Sequence, residues 1–154
     1  MNPKIVERPA FTVLGYRYQG KNENQEIAAM WEQFLPRMGE IRTTNPLESF
    51  GVCRMLPGLP PGEFEYIAGL EVDVDHPVPE GMVKVNLPAA RYAIFEHRGS
   101  LETLHETFRK IAHEYLPHSG LTRITPEVDI EVYDDRVFRG FSPDSILYIY
   151  VAVQ

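Results

Sequence analysis

The sequence predicts an α+β fold: a duplicated βαββ unit whose antiparallel sheets border a central cleft, with helices on the outer face. Two observations lead there. The stretch PAFTVLGYRYQG (Pro9 to Gly20) aligns without a gap on PAARYAIFEHRG (Pro88 to Gly99) at an offset of 79 residues, matching at Pro, Ala and the final Gly, with aromatics at Tyr16 and Phe95. Each copy is then followed by the same order of a helical stretch and two strand-like runs, which suits hairpins with helices on one side and not a doubly wound parallel sheet.

The elements follow in order. After Gly20, a polar turn leads into QEIAAMWEQFLPRM, where Ile27, Met30, Trp31, Phe34 and Met38 recur at helical spacing. Pro36 ends or bends that helix, because proline lacks the N–H that the ladder needs. SFGVCRM and FEYIAGLEV read as strands separated by the Pro- and Gly-rich LPGLPPGE. DVDHPVPEGM connects the halves. In the second half Ser100, with Thr103 nearby, opens a helix carrying Leu104, Phe108, Ile111, Ala112 and Tyr115. PEVDIEVYD and SILYIYVAV supply the last two strands around DRVFRGFSPD. The expectation is a single domain over 1–154 with pseudo-repeats 5–74 and 82–154.

Composition limits the function. At 154 residues with 44% hydrophobic content, the chain can bury a core of its own. Its formal charge is −7, with no basic block, so direct nucleic-acid binding is not expected. The N-terminal MNPKIVERPAF has charges where a signal peptide needs an apolar core, and the longest apolar run, ILYIYVAV, is too short to cross a bilayer. The expected location is the cytoplasm, with no membrane partner. Cys53 is single and reads as a small buried hydrophobe. No nucleophile elbow, P-loop or dinucleotide fingerprint occurs, and one Glu102/His105 pair reads as an exposed helix face; no metal and no cofactor is expected.

Parity along the strands picks out the candidate site. In the last strand Leu147, Ile149, Val151 and Val153 form an aliphatic face suited to a helix, leaving Tyr148 and Tyr150 on the other. Tyr66 shares a face with Phe64 and Ala68. In EVDIEVYDD the aliphatic Val128, Ile130 and Val132 are expected toward the helix, sending Glu131 and Tyr133 the other way, into a cleft lined by tyrosines. On residue pattern alone, Glu131 is either a solvent-facing strand residue or a pocket floor, and Trp31 either core or pocket wall. Tyr92 and Glu96 share one face of RYAIFEH, with Glu96 read as a partner of Arg91 or Arg98.

Across nearly its whole length the chain resembles the GyrI-like proteins, the effector-binding domains of AraC-type and multidrug-sensing bacterial regulators. The resemblance is carried by FEYIAGLEV, VPEGM, LPAARYAIFEHRGSLETLHETF, YLPHSGL, EVDIEVYDDRVF and SILYIYVAV in that order. It implies a ligand cavity between two βαββ halves, with hydrophobic, often aromatic and cationic small molecules as partners. The family's cavity glutamate falls on Glu131, with Tyr133 following it. A carboxylate withdrawn from water favours a proton or a cationic guest, and the rings of Tyr66, Tyr148 or Tyr150 add cation–π attraction of roughly 0.5 to 2 kcal/mol each.

Three functions follow from this reading. The first is a stand-alone small-molecule-binding protein that senses or sequesters xenobiotics, with Glu131, Tyr66, Tyr148, Tyr150, Trp31 and Tyr92 around the ligand. The second is a hydrolase of strained or electrophilic xenobiotics, with Glu131 as general acid or base and Tyr133 beside it. The third is a gyrase-inhibitor-like interaction with a protein partner that the sequence does not name.

Overall fold

The computed structural model describes residues 2–154 as eight strands and three α-helices. The strands are β1 (Lys4–Arg8), β2 (Phe11–Gly20), β3 (Glu48–Arg54), β4 (Phe64–Val72), β5 (Val83–Leu87), β6 (Ala90–Arg98), β7 (Val128–Asp134) and β8 (Ile146–Val153). They form one antiparallel sheet in the order β1-β6-β8-β7-β3-β4-β2-β5. The order is symmetric about the β7–β3 pair, where Gly51 stands opposite Glu131.

The α+β class and the strand–helix–strand–strand order are as the sequence predicts. The halves do not face each other as two sheets, however; β3 and β7 pair along seven residues and join them edge to edge. That pairing satisfies two strand edges that would otherwise expose backbone groups. The short strands β1 and β5 lie outside the elements that the sequence predicts. KIVER and VKVNL are brief and charged, and each gains its strand geometry from its neighbour, β6 or β2.

Those two strands also curl the sheet. Only Pro9 and Ala10 separate β1, at one sheet edge, from β2 near the other, and only Pro88 and Ala89 separate β5 from β6. The edges are therefore drawn together around an inner core of Phe11, Val13, Phe50, Val52, Ile130 and Val132 with their neighbours. Arg8 helps to hold the curl, its guanidinium 3.9 Å over the Phe11 ring and 2.8 Å from Glu71 Oε1 on β4. At the bend, Gly15 and Gly69 are direct partners, and a Cβ on Gly15 would lie 1.9 Å from the Ala68 carbonyl oxygen. Such close backbone approach is a common reason for glycine inside a strand.

Both helical stretches cover the outer face. Helix α1 (Glu26–Phe34) packs Phe34, Trp31, Met30 and Ile27 on Leu14, Tyr66, Ala68 and Leu70 of β2 and β4. At Pro36 it tightens into a 3-10 turn (Leu35–Glu40), as the missing N–H requires. The second stretch runs through a 3-10 turn (Leu101–Thr103), α2 (Leu104–Lys110), a π turn (Ile111–Tyr115) and α3 (Leu116–Ser119), and sets Ile111 and Leu116 on Ala93, Phe95, Ile149 and Val151 of β6 and β8. The aliphatic face of β8 thus meets a helix as expected. Between the two helical stretches, β3 and β7 form the floor of a groove.

Ser100 opens the second stretch, its Oγ accepting from the Glu102 N–H at 3.1 Å. Ser100→Ala removes that acceptor and should lower stability by about 1 kcal/mol, the usual worth of an N-cap side chain. Chemical denaturation checks it; an unchanged midpoint would show that the cap contributes nothing.

Candidate functional site

The groove floor is built around Glu131. Strand alternation turns Ile130 and Val132 into the inner core, so Glu131 and Tyr133 emerge on the outer face, beside α1. The parity expected for β7 holds, but its sides are exchanged: the aliphatic residues avoid the helix because the curled sheet buries them more completely, at about 1% exposure for each of Ile130 and Val132.

Two phenols converge on one carboxylate oxygen. Tyr66 Oη donates to Glu131 Oε1 at 2.5 Å, and Tyr133 Oη donates to the same atom at 2.7 Å. Trp31 Nε1 donates in turn to Tyr66 Oη at 3.0 Å. The Trp31 ring meets Tyr133 edge-on at 5.3 Å, and Phe138 closes on the other side of Tyr133 at 4.9 Å. An aromatic wall from α1, β4, β7 and the β7–β8 loop therefore surrounds one acid.

The other oxygen is left open. Glu131 Oε2 takes no hydrogen bond from the described residues, and among those residues no buried side-chain oxygen or nitrogen lacks a partner, so Oε2 must be reached by solvent. None of the ion pairs among the described residues involves Glu131. Burial raises its carboxyl above the ordinary range; the two phenol hydrogen bonds act against that rise and nearby Asp129 adds to it. Burial, reinforced by the Glu131 charge, pushes the Tyr66 and Tyr133 hydroxyls well up, so both remain donors. A partly dehydrated acid with one free oxygen and no counter-charge can accept a proton or a cation.

Gly51 makes the convergence possible. It faces Glu131 across the β3–β7 pair, and a Cβ there would lie 1.9 Å from Tyr66 Oη and 2.6 Å from Glu131 Oε1. Tyr66 leans through the space that a side chain would fill. A glycine inside an otherwise apolar strand run is the sequence signal for such an approach. Phe138, in an irregular loop, offers no comparable signal.

The remaining sequence-predicted residues lie elsewhere. Tyr148 pairs with Val132 and Tyr150 with Ile130, so both rings share the inner face and not the face of Glu131. Tyr92 is buried in the inner core, 5.8 Å from Tyr150. Of Tyr66, Tyr92, Tyr148 and Tyr150, all expected around the ligand with Glu131, only Tyr66 reaches that acid, because the aliphatic sides of β8 and β7 face opposite ways. Tyr148 and Tyr150 instead line a separate cavity of about 560 Å³ with Ile94, Glu96, Glu48 and Arg136. Glu96 binds Arg98 at 2.8 Å, one of its two expected partners. Cys53 lies beside the groove floor, its thiol pushed up by burial and by the charges of Asp129 and Glu131, which leaves it a weak nucleophile.

The sequence profile of the GyrI-like small molecule binding domain matches residues 1–154. The chain belongs to this GyrI-like family. The transcriptional regulator BrlR of Pseudomonas aeruginosa is 42% identical over 155 residues, an alignment that covers 99% of this chain and 56% of BrlR. The GyrI-like chain thus spans about half the length of that relative. Among solved structures, SAV2435 bound to tetraphenylphosphonium superposes with a TM-score of 0.77 at 16% identity, covering 100% of this chain and 94% of that one. A hydrolase encoded by lin2189 from Listeria innocua superposes with a TM-score of 0.59 at 12% identity, covering 99% and 92%. At such identities the likeness is one of fold. The GyrI-like domain is a small-molecule-binding domain, and among its described residues no helix is long and apolar enough to cross a membrane.

Proposed function

We propose that this GyrI-like chain is a receptor for lipophilic aromatic cations, sensing or sequestering xenobiotics of that kind. One observation carries the reading: the uncompensated Glu131 carboxylate, its Oε1 fixed by two phenols and its Oε2 open to the groove. A cation against Oε2 supplies the counter-charge that the protein does not. Trp31, Tyr133 and Phe138 offer ring faces and edges to an aromatic body. The tetraphenylphosphonium bound by SAV2435 makes that ion a suitable first probe.

Trp31 is the only tryptophan, so its fluorescence reports directly on the groove. Titration with tetraphenylphosphonium should give saturable quenching. Because the folded carboxyl ionises above the ordinary range, affinity should rise with pH through that higher window, and binding inside it should release a proton. Quenching that never saturates, or affinity independent of pH from the ordinary carboxyl range up to neutrality, would sink the reading.

A second reading rests on the same raised acid. Glu131, held by two phenols, is equipped to transfer a proton to or from a strained or electrophilic substrate, and the fold is shared with a hydrolase. In that case Glu131→Gln should cut turnover roughly 100-fold or more, while a neutral substrate still binds.

A further inference from the structure

Asp129 and Glu131 sit two residues apart on β7 and so share the outer face, at the floor of the groove. Two free carboxylates there would call for a dication. The chain answers only one of them. Arg123 Nη1 bonds Asp129 Oδ1, with the two side chains at 18% and 17% exposure. The guanidinium is set in place by its backbone: Arg123 bridges to Val153 of β8, flanked by Ile124 N–H to the Ala152 carbonyl at 3.1 Å and Gln154 N–H to the Thr122 carbonyl at 2.9 Å. Asp129 is therefore neutralised from within, and Glu131 is not.

We infer that the Arg123–Asp129 pair fixes the charge of the ligand, so that the groove accepts monocations and discriminates against dications. This rests on the reading of Glu131 as the cation site and adds the charge of the guest and the residues that set it. Arg123 also lines a hollow of about 490 Å³ beside α3, with Leu116, Ile124 and Glu127. The second charge of a long dication at Glu131 finds the neighbouring Asp129 carboxylate already taken by Arg123, so it is withdrawn from water without a partner of its own. Selectivity thus comes from one carboxylate answered within the chain beside another that is not.

Matched probes test it: tetraphenylphosphonium against butane-1,4-diylbis(triphenylphosphonium), which keeps the aryl-phosphonium head and doubles the charge. Affinities are measured by calorimetry on the full chain. Arg123→Gln frees the Asp129 carboxylate and should raise the ratio of dication to monocation affinity about tenfold, the scale of one added charge contact. Asp129→Asn leaves the guanidinium uncompensated and should move the ratio the other way by a similar factor, so the inference remains testable if one variant fails to fold. A ratio that stays put in the folded variants, while Glu131→Gln still weakens tetraphenylphosphonium, overturns the role of the pair and leaves the Glu131 reading intact. Tetraphenylphosphonium affinity unchanged in Glu131→Gln overturns both.

Discussion

Glu131→Gln should weaken tetraphenylphosphonium by about 1 to 3 kcal/mol, or about 5- to 150-fold, the range for losing a charge-assisted contact. A neutral aryl-phosphorus compound such as triphenylphosphine oxide should bind nearly as before, because the aromatic wall of Trp31, Tyr133 and Phe138 is untouched. The same substitution should leave the fold as stable at neutral pH, or more stable by about 1 kcal/mol, the size typical of relieving a strained functional group. Glutamine keeps an oxygen for both phenol donors and removes a charge from a dehydrated place. The sign follows from linkage: the folded carboxyl holds its proton more tightly than the unfolded chain does, so the wild type loses stability as pH rises from the ordinary carboxyl range through the raised value. The glutamine variant should lack that descent. Calorimetric titration and thermal melts against pH read both effects. Equal losses for the charged and neutral compounds would mean that Glu131 shapes the groove without recognising charge.

Much of this site is legible in the sequence. Period-two alternation put Glu131 and Tyr133 on one face of β7 and Tyr148 and Tyr150 on one face of β8, and both groupings hold. Alternation is blind to which face meets which layer, and in this fold β4 and β8 are covered on both faces, one by helices and the other by the curl of the sheet. Tyr148 and Tyr150 were therefore grouped with an acid that lies across the sheet from them. The curl itself depends on β1 and β5, whose five-residue runs carry too little pattern to be read without their partners. Trp31 was ambiguous for a different reason. Its helical spacing fits a core residue, and its indole does pack on Phe34, yet its N–H reaches the Tyr66 hydroxyl, so it serves both layers.

Gly51→Ala should be among the most damaging single-methyl additions to this chain. The new Cβ would lie 1.9 Å from Tyr66 Oη, 2.5 Å from its Cζ and 2.6 Å from Glu131 Oε1, all well inside contact distance. Tyr66 has little room to retreat: it is 3% exposed, belongs to the cluster packed beneath α1, and accepts the indole N–H of Trp31. Either β3 shifts or the ring is displaced, and overpacking of this kind costs roughly 1 to 3 kcal/mol. Loss of the Tyr66 donor to Glu131 adds about 1 kcal/mol. A melting temperature lower by several degrees is expected for a domain of this size, at roughly 2 to 4 °C per kcal/mol. Tyr66→Phe in the same background removes the atom in closest conflict but leaves the ring carbon beneath it, so the double variant should recover part of the loss and no more. The two substitutions should then be coupled by about 1 kcal/mol in a double-mutant cycle. Strictly additive effects would show that position 51 tolerates a side chain without touching Tyr66, and that the glycine has no part in bringing Tyr66 to the acid.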